Sequence, residues 1–250
     1  MQASLTAPLL VVAQTPPPAR RTETAPAIPL FPGAEVFFPD LGFFGTTQVV
    51  ALDPAKVSFQ LYDNKNNNDF MMLCAAGARP QMLFNGNLFT PEGKILGLLV
   101  SGGQRYARLT TGSKLLSGIF YITKDKKANI VFREQFNQDD LGNIDFAMQA
   151  GPLIIEPGRK KGIYESNFNF RPRTIIAREK NGRILVMTFT AWKNLWQIQN
   201  NILENFPDVD SAINLDGGGS TASCLNTAKY KNLIDPSDDL PFMIMVRPPR

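Results

Sequence analysis

Asn214-Leu215-Asp216-Gly217-Gly218-Gly219-Ser220-Thr221 brings a carboxylate, three glycines and two hydroxyls into one short run. Consecutive glycines let the backbone approach a ligand closely and adopt left-handed conformations. Successive N–H groups can then converge on one anion. Ser220 and Thr221 add hydroxyl donors, and Asp216 can act as a base, a nucleophile or a cation ligand. The competing reading is a tight Asp-Gly turn. A third glycine costs more conformational entropy than a turn requires, which favours a functional loop. No lysine follows at the spacing of a phosphate-binding P-loop.

Three further motifs carry polar groups at predicted strand ends. Asn85-Gly86 follows Met82-Leu83-Phe84, and an asparagine amide can hold a sugar hydroxyl or orient a carboxylate. Judged locally, an Asn-Gly turn explains it better. Arg171-Pro172-Arg173-Thr174 opens a strand, and arginine suits two-pronged phosphate binding. A surface arginine at a strand start explains this equally well. Gln149-Ala150-Gly151-Pro152-Leu153 reads locally as a bend alone.

Histidine is absent. That excludes a Ser-His-Asp triad, a histidine base and any zinc site built on imidazole. The net charge is +4, from 26 Lys and Arg against 22 Asp and Glu. The basic residues are scattered, with no basic helical stripe, so nucleic acid is not an expected partner. A mildly positive field favours an anionic small substrate.

The elements that must position these groups are mostly strand-length. Val57, Phe59 and Leu61 alternate with polar residues, the period of a half-buried strand. Met71-Met72-Leu73, Met82-Leu83-Phe84, Ile95 to Val100, Ile119 to Ile122 and Ile130-Val131-Phe132 are short apolar runs between turn residues. Asn181-Gly182 between two apolar runs predicts a hairpin with a type I′ turn. Leu195, Ile198, Ile202 and Leu203 recur at helical spacing, whereas Ala212 to Leu215 and Phe242 to Val246 read as strands. The expected fold is α+β, a single domain around a mixed or antiparallel sheet with few helices.

Residues 1–40 are proline-rich and are expected to form a flexible N-terminal segment, with residues 41–250 as the folded domain. Leu5 to Ala13 is an apolar run too short to span a membrane, so no integral membrane segment is expected. It lacks the opening basic residues of a signal peptide but is compatible with a signal remnant and an exported protein. Cys74 and Cys224 could form one disulfide or remain two buried thiols; the thiol reading is preferred.

The order of Asn85-Gly86-Asn87-Leu88-Phe89, Gln149 to Ile154, Arg173-Thr174 and Asn214 to Thr221 resembles the phosphodiester glycosidase family. Thr47 to Asp53 is similar to that family's opening strand. Its members include the lysosomal-targeting uncovering enzyme and bacterial proteins linked to exopolysaccharide. Asn87 and Leu88 stand where members usually have Gly-Phe, at an expected pocket wall. The resemblance implies hydrolysis of a sugar-1-phosphodiester, with Asp216 and Arg173 catalytic. Asn85, Gly86, Thr174, Gly217, Gly218, Gly219, Ser220 and Thr221 would bind the substrate. That substrate is a small molecule or glycan carrying a phosphodiester, and neither metal nor cofactor is expected. Glu156 and Glu179 are candidates for a second carboxylate. The alternative is a non-catalytic glycan-binding protein of exopolysaccharide assembly.

Overall fold

A computed structural model describes residues 26–42, 45–64, 70, 74 and 81–249. It is mostly β. An eight-stranded sheet runs in the order β1-β2-β3-β14-β13-β15-β11-β12. Its strands are β1 (Ile28–Phe31), β2 (Ala34–Phe37), β3 (Thr47–Leu52), β11 (Leu153–Glu156), β12 (Lys160–Lys161), β13 (Arg171–Glu179), β14 (Ile184–Lys193) and β15 (Val209–Gly217). A five-stranded sheet contains β6 (Leu99–Ser101), β7 (Gln104–Ala107), β8 (Gly118–Thr123), β9 (Ala128–Phe132) and β10 (Ile144–Ala150). A second five-stranded sheet contains β4 (Ser58–Asp63), β5 (Gln81–Asn85), β16 (Ser223–Asn226), β17 (Lys231–Ile234) and β18 (Phe242–Arg247). The pairings within all three are antiparallel.

The main core forms where the three sheets meet. Val50, Ile176, Ile213 and Leu215 of the large sheet pack with Phe120 and Phe146 of one small sheet and Phe84 and Ile244 of the other. Successive residues of a strand face opposite sides, so Ile175 and Ala177 join a different cluster on the outer face. Helix α1 (Leu195–Asn205) covers that face through Ile198 and Ile202. Residues 173–177 are therefore buried on both faces, as a central strand requires.

α1 begins at a capping box. Asn194 Oδ1 accepts from Gln197 N (2.9 Å), and Asn194 N donates to Gln197 Oε1 (3.3 Å). Two of the donors left open at a helix start are thus satisfied.

Several expectations change. Few helices were expected, but the balance lies further toward strand than α+β suggests. Folded structure begins before residue 41, because β1 and β2 lie in the large sheet and bury Leu30, Phe31 and Val36. Pro29 is accommodated because β1 is the sheet's edge strand, where a missing N–H need not break a ladder. The β13–β14 hairpin is present, but Asn181 is not at positive φ while Gly182 is at φ 91°. Gly182 N donates to Glu179 O (2.9 Å). These features describe a type I turn followed by a left-handed glycine, not type I′. Ile95 to Val100 is not one strand. Leu96 N donates to Leu88 O (2.9 Å) in a tight local hairpin, and only Leu99 onward joins a sheet. Cys74 and Cys224 form a disulfide, which overturns the thiol reading. Met71-Met72-Leu73 and Leu5 to Ala13 lie outside the described residues.

Candidate active site

The motifs meet at the seam between the large sheet and the β5-containing sheet. Asn85 ends β5, Thr174 lies in β13, and Asp216 lies at the end of β15. Asn85 Oδ1 accepts from Thr174 Oγ1 (2.6 Å) and from Ala222 N (3.1 Å). Asn85 Nδ2 donates to Asp216 O (2.8 Å), and Asp216 N donates to Gly86 O (3.3 Å). Asn85 is 1% exposed and Thr174 is fully buried. Their side chains are bonded to one another and to backbone, an arrangement that ties Asn85 and Thr174 to the backbone at Asp216.

Arg173 pairs with Gly217 across β13 and β15. Its Nη2 donates to Asn169 O (3.2 Å). Its Nε is buried without a hydrogen-bond partner among the described residues, as is Thr221 Oγ1. Burial lowers the Arg173 pKa, as does the nearby Arg171 charge, while Asp216 opposes the shift. The guanidinium stays cationic nonetheless.

Asp216 is pushed above the ordinary carboxylate value of 3.8, chiefly by burial. Hydrogen bonds from Gly217 N (2.9 Å) and Ser220 oppose that shift, the Asp238 charge reinforces it, and Arg173 counters it. Asp238 was not singled out by sequence. It sits in Asp235-Pro236-Ser237-Asp238-Asp239, which reads as an ordinary turn. Gly219 O accepts from Ser237 N (2.9 Å) and Asp238 N (3.2 Å), and a Cβ on Gly219 would overlap the Asp238 carboxylate. Gly218 is in the left-handed region at φ 68°. These two positions account for glycine in the loop by conformation and by space.

Glu156 and Glu179 are not part of this arrangement. Glu179 is six positions along β13 from Arg173, on the order of 20 Å at strand rise, and pairs with Arg183 Nε at 3.1 Å. Glu156 pairs with Lys160 beyond the Ile155–Ala212 contact, away from the Asp216 end of β15. Asn87 is buried and donates through Nδ2 to Leu96 O (2.8 Å); it braces the local hairpin and does not line the groove at the glycine loop. Gln149 is a brace also. Its Oε1 accepts from Leu98 N (3.0 Å) and Thr110 N (2.9 Å), and its Nε2 donates to Thr110 O (2.7 Å) and Leu116 O (2.9 Å).

Gly218 and Gly219 open onto a groove of about 790 Å³, bordered by Phe168, Phe170, Arg171 and Trp192. A separate groove of about 760 Å³ between Phe89 and Phe242 contains none of the predicted site residues. Among the described residues, no group of three or more carboxylate, cysteine or histidine side chains could hold a metal ion.

Residues 78–247 match the family model for phosphodiester glycosidase, more than half of the chain. The chain belongs to the phosphodiester glycosidase family. The matched region contains Asn85, Arg173, Asp216 and the glycine loop. No curated protein matches. Among solved structures, the fold is similar to a hypothetical protein from Synechocystis, with TM-score 0.59 and 14% identity. That alignment covers 94% of this chain and 64% of the other, so this phosphodiester glycosidase-family chain spans less than two thirds of that protein's length. It is similar also to the catalytic domain of zebrafish N-acetylglucosamine-1-phosphodiester alpha-N-acetylglucosaminidase, auto-inhibited by its pro-peptide. There the TM-score is 0.57 and the identity 17%, over 91% of this chain and 82% of that one. A Burkholderia pseudomallei protein designated as exported aligns with TM-score 0.54 and 13% identity, over 86% and 75% of the two chains. These likenesses establish the fold. Among the described residues, no helix is long and apolar enough to cross a membrane.

Proposed function

We propose that this chain hydrolyses a sugar-1-phosphodiester at the anomeric carbon, in the processing of an exported polysaccharide. The observation that carries the reading is the half-buried Asp216 carboxyl, held beside Arg173 and at the start of the glycine loop. In the proposed reaction a water oxygen bonds to the anomeric carbon and the carbon–oxygen bond to phosphate breaks. Asp216 takes the water proton, and its raised pKa makes it a stronger base than an open carboxylate. The phosphomonoester leaves as an anion, which needs little help from a general acid. Arg173 and the loop amides stabilise that anion. Asp238 is the second carboxylate and stabilises the positive charge that builds on the sugar ring. An exported setting fits the disulfide.

The test is steady-state hydrolysis of a panel of methyl hexosyl-1-phosphodiesters and the matching methyl hexosides. Asp216→Asn should lower kcat by orders of magnitude with the fold retained. Arg173→Lys keeps the charge but loses the planar fork, so its damage should fall on the phosphodiesters. Full activity in Asp216→Asn would remove that residue from the mechanism. No turnover of any substrate by the wild type would favour the non-catalytic glycan-binding reading.

A further inference from the structure

Four large aromatic side chains are exposed, and three of them border one groove. Phe168 is 97% exposed, Tyr164 75%, Trp192 71% and Phe170 37%. Apolar side chains so open to water are costly unless something covers them in function. Phe168, Phe170 and Trp192 border the groove that ends at Gly218 and Gly219. The rings of Phe168 and Phe170 meet edge to face at 6.5 Å, leaving ring faces free for another partner.

The segment that carries these rings is held in place. Asn194 Nδ2 donates to Ser166 Oγ (2.8 Å) and Asn167 O (2.6 Å). Gln199 Oε1 accepts from Gly162 N (2.9 Å) and Ile163 N (2.7 Å). Trp192 projects from β14, a strand of the central sheet. The platform is therefore pre-organised, which lowers the entropic cost of binding.

We infer that Phe168, Phe170 and Trp192 form a platform for an oligosaccharide whose chain leads into the glycine loop. The lining chemistry selects this occupant. Among the described residues the groove has three aromatic rings, an arginine, an asparagine, a serine, a proline and the backbone of two glycines, and no Leu, Ile, Val or Met. Pyranose rings present a face of C–H bonds to an aromatic ring and a rim of hydroxyls to polar neighbours. Arg171 and Asn169 provide donors and an acceptor at that rim. A lipid-inserting face pairs its aromatics with Leu and a Lys- and Arg-rich polar face, whereas this lining has a single arginine and neither Leu nor Lys. The continuity with Gly218 and Gly219 rests on the reaction proposed above; the binding itself does not.

The test is a titration of the full chain with cellohexaose, isomaltohexaose, chitohexaose and a galactose hexamer. Trp192 is one of two tryptophans, so in a Trp196→Phe background its fluorescence reports on the groove. At least one hexasaccharide should shift that emission, and Trp192→Ala and Phe168→Ala should each weaken its binding about tenfold, read by calorimetry. Trp192→Phe should recover most of the affinity. Both positions are exposed, so a folding defect is not expected, and circular dichroism checks it. Asp216→Asn should bind the hexasaccharide even if the wild type hydrolyses nothing, which separates this inference from the reaction. Failure of all four sugars to bind, or binding unchanged by both alanine variants, overturns the platform. So does aromatic-dependent binding to phosphatidylglycerol vesicles or self-association in place of sugar binding.

Discussion

Thr174 Oγ1 donates to Asn85 Oδ1 at 2.6 Å across the seam between two sheets. With Asn85 also bonded to Ala222 N and Asp216 O, a single amide fixes β5, β13, the end of β15 and the approach to β16. The position of Asp216 is thereby tied to how the sheets pack.

Asn85→Ala leaves a buried hydroxyl and a buried N–H without their acceptor, and should cost about 3 kcal/mol of stability. Thr174→Val removes one donor and should cost about 1 kcal/mol. Urea denaturation measures both. Equal costs in the two variants would show that Asn85 does not join the sheets as described.

Burial raises the Asp216 pKa above 3.8. The folded chain then keeps that proton to higher pH than the unfolded chain does. Stability therefore falls as pH rises from 3.8 through the folded value and stays lower beyond it. Asp216→Asn carries no such charge. Its stability relative to wild type should be greater at pH 7 than at about pH 3.5, in matched denaturant titrations. A difference that does not change with pH would mean that Asp216 is not desolvated.

Leu30 and Phe31 are buried in an edge strand within a proline-rich stretch. Leu30→Ala should cost about 2–3 kcal/mol. A thermal melt identical to wild type would show that β1 adds nothing to the core.

The Cys74–Cys224 bond closes a loop of 150 positions. Reduction, or the double change Cys74→Ser and Cys224→Ser, should lower stability by about 2–4 kcal/mol. Melts with and without dithiothreitol should differ for the wild type and coincide for the double variant.

The loop from Asn214 to Thr221 was legible because its chemistry is local: a buried strand ending in a carboxylate, then three glycines. α1 was legible from the spacing of Ile198 and Ile202. The partnership of Asn85, Thr174 and Asp216 was not legible from the residues alone, since it depends on pairing between segments some 90 to 130 positions apart. Family resemblance put these motifs in order without assigning Asn85 its bracing role. Asp238 stayed hidden because a turn rich in Asp, Pro and Ser has an adequate local explanation. β1 stayed hidden because Pro29 speaks against a strand except at a sheet edge, and edges are set by topology.

Asn194 faces two ways. Its Oδ1 secures the first turn of α1 while its Nδ2 holds the segment leading to Phe168. The helix and the aromatic segment thus form one inheritable cassette. A chimera that exchanged residues 162–170 alone would separate the segment from the Asn194 and Gln199 that match it. Exchange of 162–205 would carry both anchors with the segment, together with β13 and β14 that lie between them, and is the unit by which the inferred platform could be moved into a relative.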